Sequence, residues 1–140
     1  MLVPVEGKVT SDAKRPMRYL ISNFARYTGE DPEPRPGLSS GHIPHSKSVP
    51  FNTFLENHQF RQADGSTSTY TTLRSPTDIL ETLRSALGED FLKDVLERKR
   101  NIVTTCGSGM TAGVLWLGLK TLGIDNVGLY DEVRLLTSRL

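Results

Sequence analysis

Apolar positions along this chain fall into helical, continuous and irregular runs, and each run predicts a different element. From Ser75 onward the helical rhythm is clear: Ile79, Leu80, Leu83 and Leu87 fall on one face. Ser75-Pro76-Thr77-Asp78 ahead of them has the form of a helix start, with a hydroxyl cap, proline at the first helical position and an acid in the first turn. Gly88 supplies a stop. A second helix is expected over residues 90–99, with Phe91, Leu92, Val95 and Leu96 turned inward. Arg98, Lys99 and Arg100 suit its C-terminal end, where the helix dipole favours positive charge. Residues 101–105 then form a short uncharged run, expected as a buried parallel strand. Residues 111–122 are apolar on more than one side and predict a helix ended by Gly123, and residues 127–130 predict another strand. Strand, helix, strand in succession implies a βαβ unit. The fold class is therefore α/β, with a small mostly parallel sheet flanked by helices.

The first half of the chain is less regular. Residues 19–21, Tyr-Leu-Ile, predict a short strand. Residues 28–48 are dense in Gly, Pro and Ser, and Pro32, Pro34 and Pro36 exclude a regular helix there. Residues 49–55 are apolar and read as a strand end and a turn. Residues 57–72 are polar and rich in Ser and Thr, and are expected to form an exposed loop. There is no internal repeat.

Composition narrows the classes. A chain of 140 residues is one ordinary domain, and its formal net charge of +1 gives no electrostatic reason to expect nucleic acid or an anionic membrane as partner. A single cysteine makes no internal disulfide. No apolar run approaches the ~20 residues a membrane span needs. The first 17 residues lack the continuous apolar centre of a signal peptide. The sequence reads as that of a soluble intracellular protein in the cytoplasm, with delivery to the mitochondrial matrix left open.

The chemistry centres on 101-NIVTTCGSGMTAGVLW-116. Cys106 stands between the expected strand and the expected helix, so the unpaired amides of the first helical turn point toward it. Gly107 and Gly109 let the backbone turn tightly with its N–H groups inward, a nest for an anion. Such a setting lowers a thiol pKa from ~8.5 into the range of ~3.5–7.5 and would equally stabilise a persulfide. A buried cysteine acting as a small hydrophobe is the ordinary alternative, but two glycines and a serine are loop material rather than packing material. A cysteine phosphatase or arsenate reductase needs an arginine six positions after the nucleophile to grip phosphate, and position 112 is Ala. Sulfur transfer suits the loop better. With no second cysteine and no clustered carboxylates, neither a zinc site nor any other cofactor is expected.

Cys-Gly-Ser-Gly-Met-Thr-Ala (106–112) resembles the active-site loop of the rhodanese family in its 3-mercaptopyruvate sulfurtransferase form. A second block agrees in order. Arg26-Tyr27-Thr28-Gly29-Glu30-Asp31-Pro32-Glu33-Pro34-Arg35-Pro36-Gly37 and then Ser39-Ser40-Gly41-His42-Ile43-Pro44 are similar to the R-[FY]-x-G-x-x-P-E-P-R…SGHIPG block of the C-terminal, catalytic domain of these two-domain enzymes. Leu129-Tyr130-Asp131 matches the start of their Y-D-G-S-W segment. The resemblance implies a rhodanese domain over residues 18–131, between a poorly defined segment 1–17 and a divergent tail 132–140, with the whole chain a partial or truncated form.

The resemblance also implies an activity. Cys106 would take sulfur from 3-mercaptopyruvate or thiosulfate as a persulfide and pass it to a thiol such as thioredoxin or to a sulfur-acceptor protein. Arg26 and Arg35 match the substrate-carboxylate arginines, and a planar guanidinium suits a 2-oxo acid. Gly107, Ser108, Gly109, Met110 and Thr111 would surround the substrate, with the Ser108 hydroxyl relaying a proton. The alternative is a weak or inactive module that carries persulfide or binds other proteins. His42 is expected to hold its turn, His45 and His58 to be plain loop residues, and Trp116 and Tyr130 to be core. Two positions depart from the pattern. The Asp-x-Arg that usually ends the apolar strand before the Arg26 region is absent at Leu20-Ile21-Ser22, and His45 replaces the last glycine of GHIPG. A left-handed backbone at that position would strain histidine.

Overall fold

The structure is a computed structural model that describes residues 18–21, 27–30, 45–106 and 110–130. Its centre is a four-stranded sheet of β1 (Arg18–Ile21), β2 (Lys47–Ser48), β5 (Ile102–Thr105) and β6 (Val127–Tyr130), in the order β2-β1-β5-β6 with every neighbouring pair parallel. Strands β3 (Leu55–Arg61) and β4 (Thr67–Leu73) form a separate antiparallel pair. Three helices are described: α1 (Pro76–Leu87), α2 (Glu89–Leu96) and α3 (Met110–Thr121). The β5-α3-β6 unit is the one expected from the run of apolar positions.

Local chemistry sets the helix ends. At α1, the Ser75 side chain accepts the Asp78 backbone N–H at 3.2 Å and donates to the Asp78 carboxylate at 2.7 Å, with Pro76 at the first position. Gly88, at φ 87°, ends the helix. Helix α2 is shorter than the sequence suggests. It closes after Leu96 because Lys99 N donates to Asp94 O (2.8 Å) and Arg98 N to Val95 O (3.0 Å), with Arg98 left-handed at φ 59°. That is the hydrogen-bond pattern of a Schellman cap, with arginine where glycine is usual. Leu96, the last helical residue, is 46% exposed rather than turned inward.

The expected loop at 57–72 is a correction. Residues 55–61 and 67–73 pair in register from Leu55↔Leu73 to Arg61↔Thr67. The joining turn carries a Gly65 N–H to Gln62 O bond of 3.0 Å, Gly65 at φ 84°, and a Gln62 N–H to Ser66 O bond of 2.8 Å. This is a type I turn followed by a left-handed glycine, a common hairpin connection. The strands are polar on both faces, so no period-two apolar signal marked them. Their stabilising units are cross-strand pairs: Asn57 with Thr71, and His58 stacked on Tyr70 at 5.0 Å. His58 is therefore a hairpin residue, its Nε2 2.8 Å from the Thr72 hydroxyl, and not a plain loop residue.

The hairpin joins the core through a 3-10 turn at Phe51–Phe54, where a strand end and a turn were expected. Phe54 is fully buried against α3, packed onto Gly118. The core gathers Leu20 and Ile102 from the sheet, Ile79 and Leu83 from α1, and Leu115 and Leu119 from α3. Trp116 packs against this cluster, half-buried, with Lys120 Nζ 5.6 Å from its ring centre. At the opposite end of the sheet, Arg100 pairs with Asp94 at 3.2 Å and lies over the Phe91 ring at 4.8 Å.

Candidate active site

Parallel strands all point their carboxyl ends to one edge, and open α/β sheets bind ligands outside that edge where the strand order reverses. Here the reversal falls between β1 and β5. From β1 the chain moves outward to β2, and from β5 it moves outward the other way to β6. Cys106 follows Thr105, the last residue of β5, at this point. It is 6% exposed, and α3 opens at Met110, four positions later. The β5 segment owes its burial to Ile102, Thr104 and Thr105, none more than 2% exposed. The Thr104 hydroxyl donates across to Gly128 O at 3.3 Å, which ties β5 to β6.

The residues expected at the site divide into two groups. Cys106 directly follows β5, and Met110 and Thr111 open α3. Met110 is 80% exposed, Thr111 half-buried, and Ala112 fully buried in the first turn. Gly107, Ser108, Gly109, Arg26, Arg35 and His42 lie outside the described residues, as does the tail from residue 131. In sequence, Arg26 comes five positions after Ile21, which ends β1 at the same edge as β5.

Some of the surroundings are described. Tyr27 and Thr28 form part of a helical turn, and the Tyr27 hydroxyl donates to Ser46 O at 3.2 Å. His45 is left-handed, at φ 63°, so the departure from the usual glycine places histidine where glycine is preferred. Tyr130, half-buried, is the register partner of Thr105 and lies outside the main cluster of buried residues.

Two polar groups at this edge carry no signal in the sequence. The Thr105 and Ser48 hydroxyl oxygens are buried and have no hydrogen-bond partner among the described residues. Hydroxyls at strand ends are commonplace, and only the structure reveals these as unpaired. Among the described residues no three His, Cys, Asp or Glu side chains converge as metal ligands, and no helix is long and apolar enough to cross a membrane.

Comparison with known proteins bears on this arrangement. No protein-family model matches the sequence. A probable 3-mercaptopyruvate sulfurtransferase of Schizosaccharomyces pombe is 37% identical over 107 residues, covering 76% of this chain and 30% of the relative. The 3-mercaptopyruvate sulfurtransferase of Escherichia coli is 36% identical over 107 residues, covering 76% and 31%. The thiosulfate sulfurtransferase TUM1 of Saccharomyces cerevisiae is 31% identical over 119 residues, covering 85% and 35%. A related sequence from Arabidopsis thaliana is named as mitochondrial. The crystal structure of the Saccharomyces cerevisiae Tum1 protein superposes with a TM-score of 0.57 at 26% identity, over 82% of this chain and 34% of that one. The 3-mercaptopyruvate sulfurtransferase of Leishmania major shares the fold, with a TM-score of 0.53 at 18% identity over 86% of this chain and 29% of that one. The chain thus spans about a third of the length of the curated relatives it matches. By sequence and by fold, it belongs with the rhodanese-type 3-mercaptopyruvate and thiosulfate sulfurtransferases.

Proposed function

We propose that this chain transfers a sulfur atom from 3-mercaptopyruvate, or from thiosulfate, through a persulfide on Cys106. The observation that carries the reading is the position of Cys106. It is a buried thiol at the carboxyl end of a central parallel strand, at the reversal of strand order, just before a helix begins. The positive end of the α3 dipole favours a thiolate there. The thiolate attacks the donor sulfur. An S–S bond to Cys106 forms; with 3-mercaptopyruvate the donor C–S bond breaks and the electron pair leaves on carbon as the enolate of pyruvate, which takes up a proton, and with thiosulfate the donor S–S bond breaks and the pair leaves on sulfite. An acceptor thiolate such as that of thioredoxin, or of a sulfur-acceptor protein, then attacks the outer sulfur and releases Cys106 as thiolate.

In this reading Arg26 and Arg35 hold the donor carboxylate, and Gly107, Gly109, Met110 and Thr111 line the sulfur site. Ser108 relays the proton that pyruvate gains. The working unit is residues 18–131, acting in the cytoplasm or the mitochondrion. Purified protein incubated with 3-mercaptopyruvate and a thiol should release pyruvate and sulfide, and Cys106→Ser should abolish both. A folded wild type that releases no pyruvate removes the reading.

A second reading has its own support. Met110 and Leu117 are large apolar side chains exposed on α3, and exposed apolar surface suits a protein that docks others. A persulfide carrier would gain one sulfur on Cys106, seen by mass spectrometry, without repeated turnover.

A further inference from the structure

The β3–β4 hairpin stands apart from the main sheet, and among the described residues no third strand pairs with either of its outer edges. The register fixes which backbone groups those edges carry. The pairs just beyond the ladder are hydrogen-bonded, Gln62 N–H to Ser66 O and Arg74 N–H to Phe54 O, both at 2.8 Å. Bonded and non-bonded pairs alternate along an antiparallel ladder. Glu56↔Thr72, His58↔Tyr70 and Phe60↔Ser68 are therefore the bonded pairs within it. Thr67, Thr69, Thr71 and Leu73 turn their N–H and C=O groups away from β3, toward the outer edge. Proteins usually blunt such an edge with charge, proline or a bulge. Strand β3 carries Glu56 and Arg61, whereas β4, Thr-Ser-Thr-Tyr-Thr-Thr-Leu, carries neither charge nor proline. Tyr70, at the midpoint of β4, is 49% exposed. His58 and Phe60 stand beside it on the same face, their ring centres 5.0 and 6.1 Å from its own. Packing within one chain leaves both the edge and the ring uncovered.

We propose that β4 is the seam of a homodimer, in which two copies of the chain join β4 to β4 in antiparallel fashion about a two-fold axis at Tyr70. The two hairpins then make one four-stranded sheet. Three features of the strand select a second copy as its occupant. Its sequence is nearly self-complementary about the midpoint: Thr69 faces the partner subunit's Thr71, and Ser68 faces the partner subunit's Thr72. Hydroxyl pairs of this kind are favourable across strands. The lack of charge lets identical edges meet with no like charges opposed. The bonding pattern also fits the axis. Thr69 and Thr71 both direct their backbone groups outward and so meet as a hydrogen-bonded pair, while Tyr70 falls at a non-bonded position, where side chains approach most closely. The two Tyr70 rings meet across the axis and cover each other. Joining β4 to β3 of another copy would instead leave an edge open at each end and grow without closing. A seam of seven residues is small beside a standard interface, so association in the micromolar range or weaker is expected.

The inference is independent of sulfur transfer, and its test uses no activity. Sedimentation equilibrium of the full chain, from about 1 to 500 µM, should show a monomer in equilibrium with a dimer. Thr69→Lys combined with Thr71→Lys sets lysines opposite one another twice across the seam and should weaken association at least about tenfold. Thr69→Lys combined with Thr71→Glu sets opposite charges in the same two places and should bring association back to within about threefold of wild type. The second variant guards against a trivial loss, since it disturbs the hairpin in the same positions. A wild type that stays monomeric throughout overturns the proposal. So does one that grows beyond a dimer, because β3 would then be the joining edge. A lysine–lysine variant that associates like wild type places the seam elsewhere and defeats the inference. A lysine–glutamate variant no tighter than the lysine–lysine one defeats it as well, since residues 69 and 71 would then not face each other.

Discussion

At the scale of single residues, two left-handed backbones make opposing demands. His45 adopts φ 63° and Arg98 φ 59°, a conformation that costs most side chains roughly 1–2 kcal/mol. Part of any gain from glycine is returned through the looser unfolded chain. His45→Gly should therefore raise stability by about 0.5–1 kcal/mol, read as a higher Tm. Arg98→Gly should gain less, because it also breaks the 3.1 Å pair with Asp125, although so exposed a pair contributes little. A drop in Tm for His45→Gly would show that the imidazole holds its turn by contacts worth more than the strain. The strain at His45 was legible in the sequence because a motif set the backbone and the residue departed from it. The strain at Arg98 was not, since a run of Arg-Lys-Arg reads as favourable dipole charge. The Thr105 hydroxyl, without a partner among the described residues, was invisible for another reason, because partnership is decided by neighbours on β1 and β6, distant in the chain. Cys106 stood out in the sequence by its place between a strand, a pair of glycines and a helix, whereas Arg26 and Arg35, outside the described residues, stood out only through the motif around them.

Secondary-structure elements separate what local order encodes from what pairing encodes. Helix α1 was readable because its cap, proline, acid and apolar stripe agree with one another. The β3–β4 hairpin was not, because its strands present Thr, Ser, Asn and Gln in place of an apolar face. The Asp64-Gly65 turn nevertheless gives a direct test. Hydrogen bonds to Asp64, first from the Ser66 side chain and then from its backbone N–H, hold the Asp64 carboxyl below its ordinary value. A carboxylate depressed in the folded state adds stability that is fully present above its unfolded pKa, about 3.9. That stability is lost as pH falls through the lower folded value. By NMR titration, Ser66→Ala should move the Asp64 midpoint upward while leaving other hairpin carboxylates in place. An unmoved midpoint would mean the hydroxyl does not hold the charge. Helix α3 shows the converse of the hairpin. It is apolar all round and so easy to find, but its pattern says little about which face is buried.

The whole molecule depends on one close approach that joins its parts. A Cβ at Gly118 of α3 would lie 2.4 Å from Phe54 Cδ2 and 2.8 Å from Cε2, with the Ile79 side chain at 3.6 Å. That contact locks the 3-10 turn, α1 and α3 into one core. Overpacking a filled core costs typically 1–3 kcal/mol, so Gly118→Ala should lower stability by about that amount in a urea titration. Combined with Phe54→Leu the loss should be smaller than the sum of the two, because the smaller ring-free side chain leaves room. Strict additivity would show that the two sites do not touch. The sheet order has a consequence of another kind. The hairpin and the three helices close over short stretches of chain, but β1 meets β5 only after everything between them has been folded back. Distant pairings of this sort form slowly, since their loop must close before they are rewarded. Cys106 acquires its surroundings in that late step. During refolding the reactivity of Cys106 should change after the helical signal has recovered, because β5 must first meet β1.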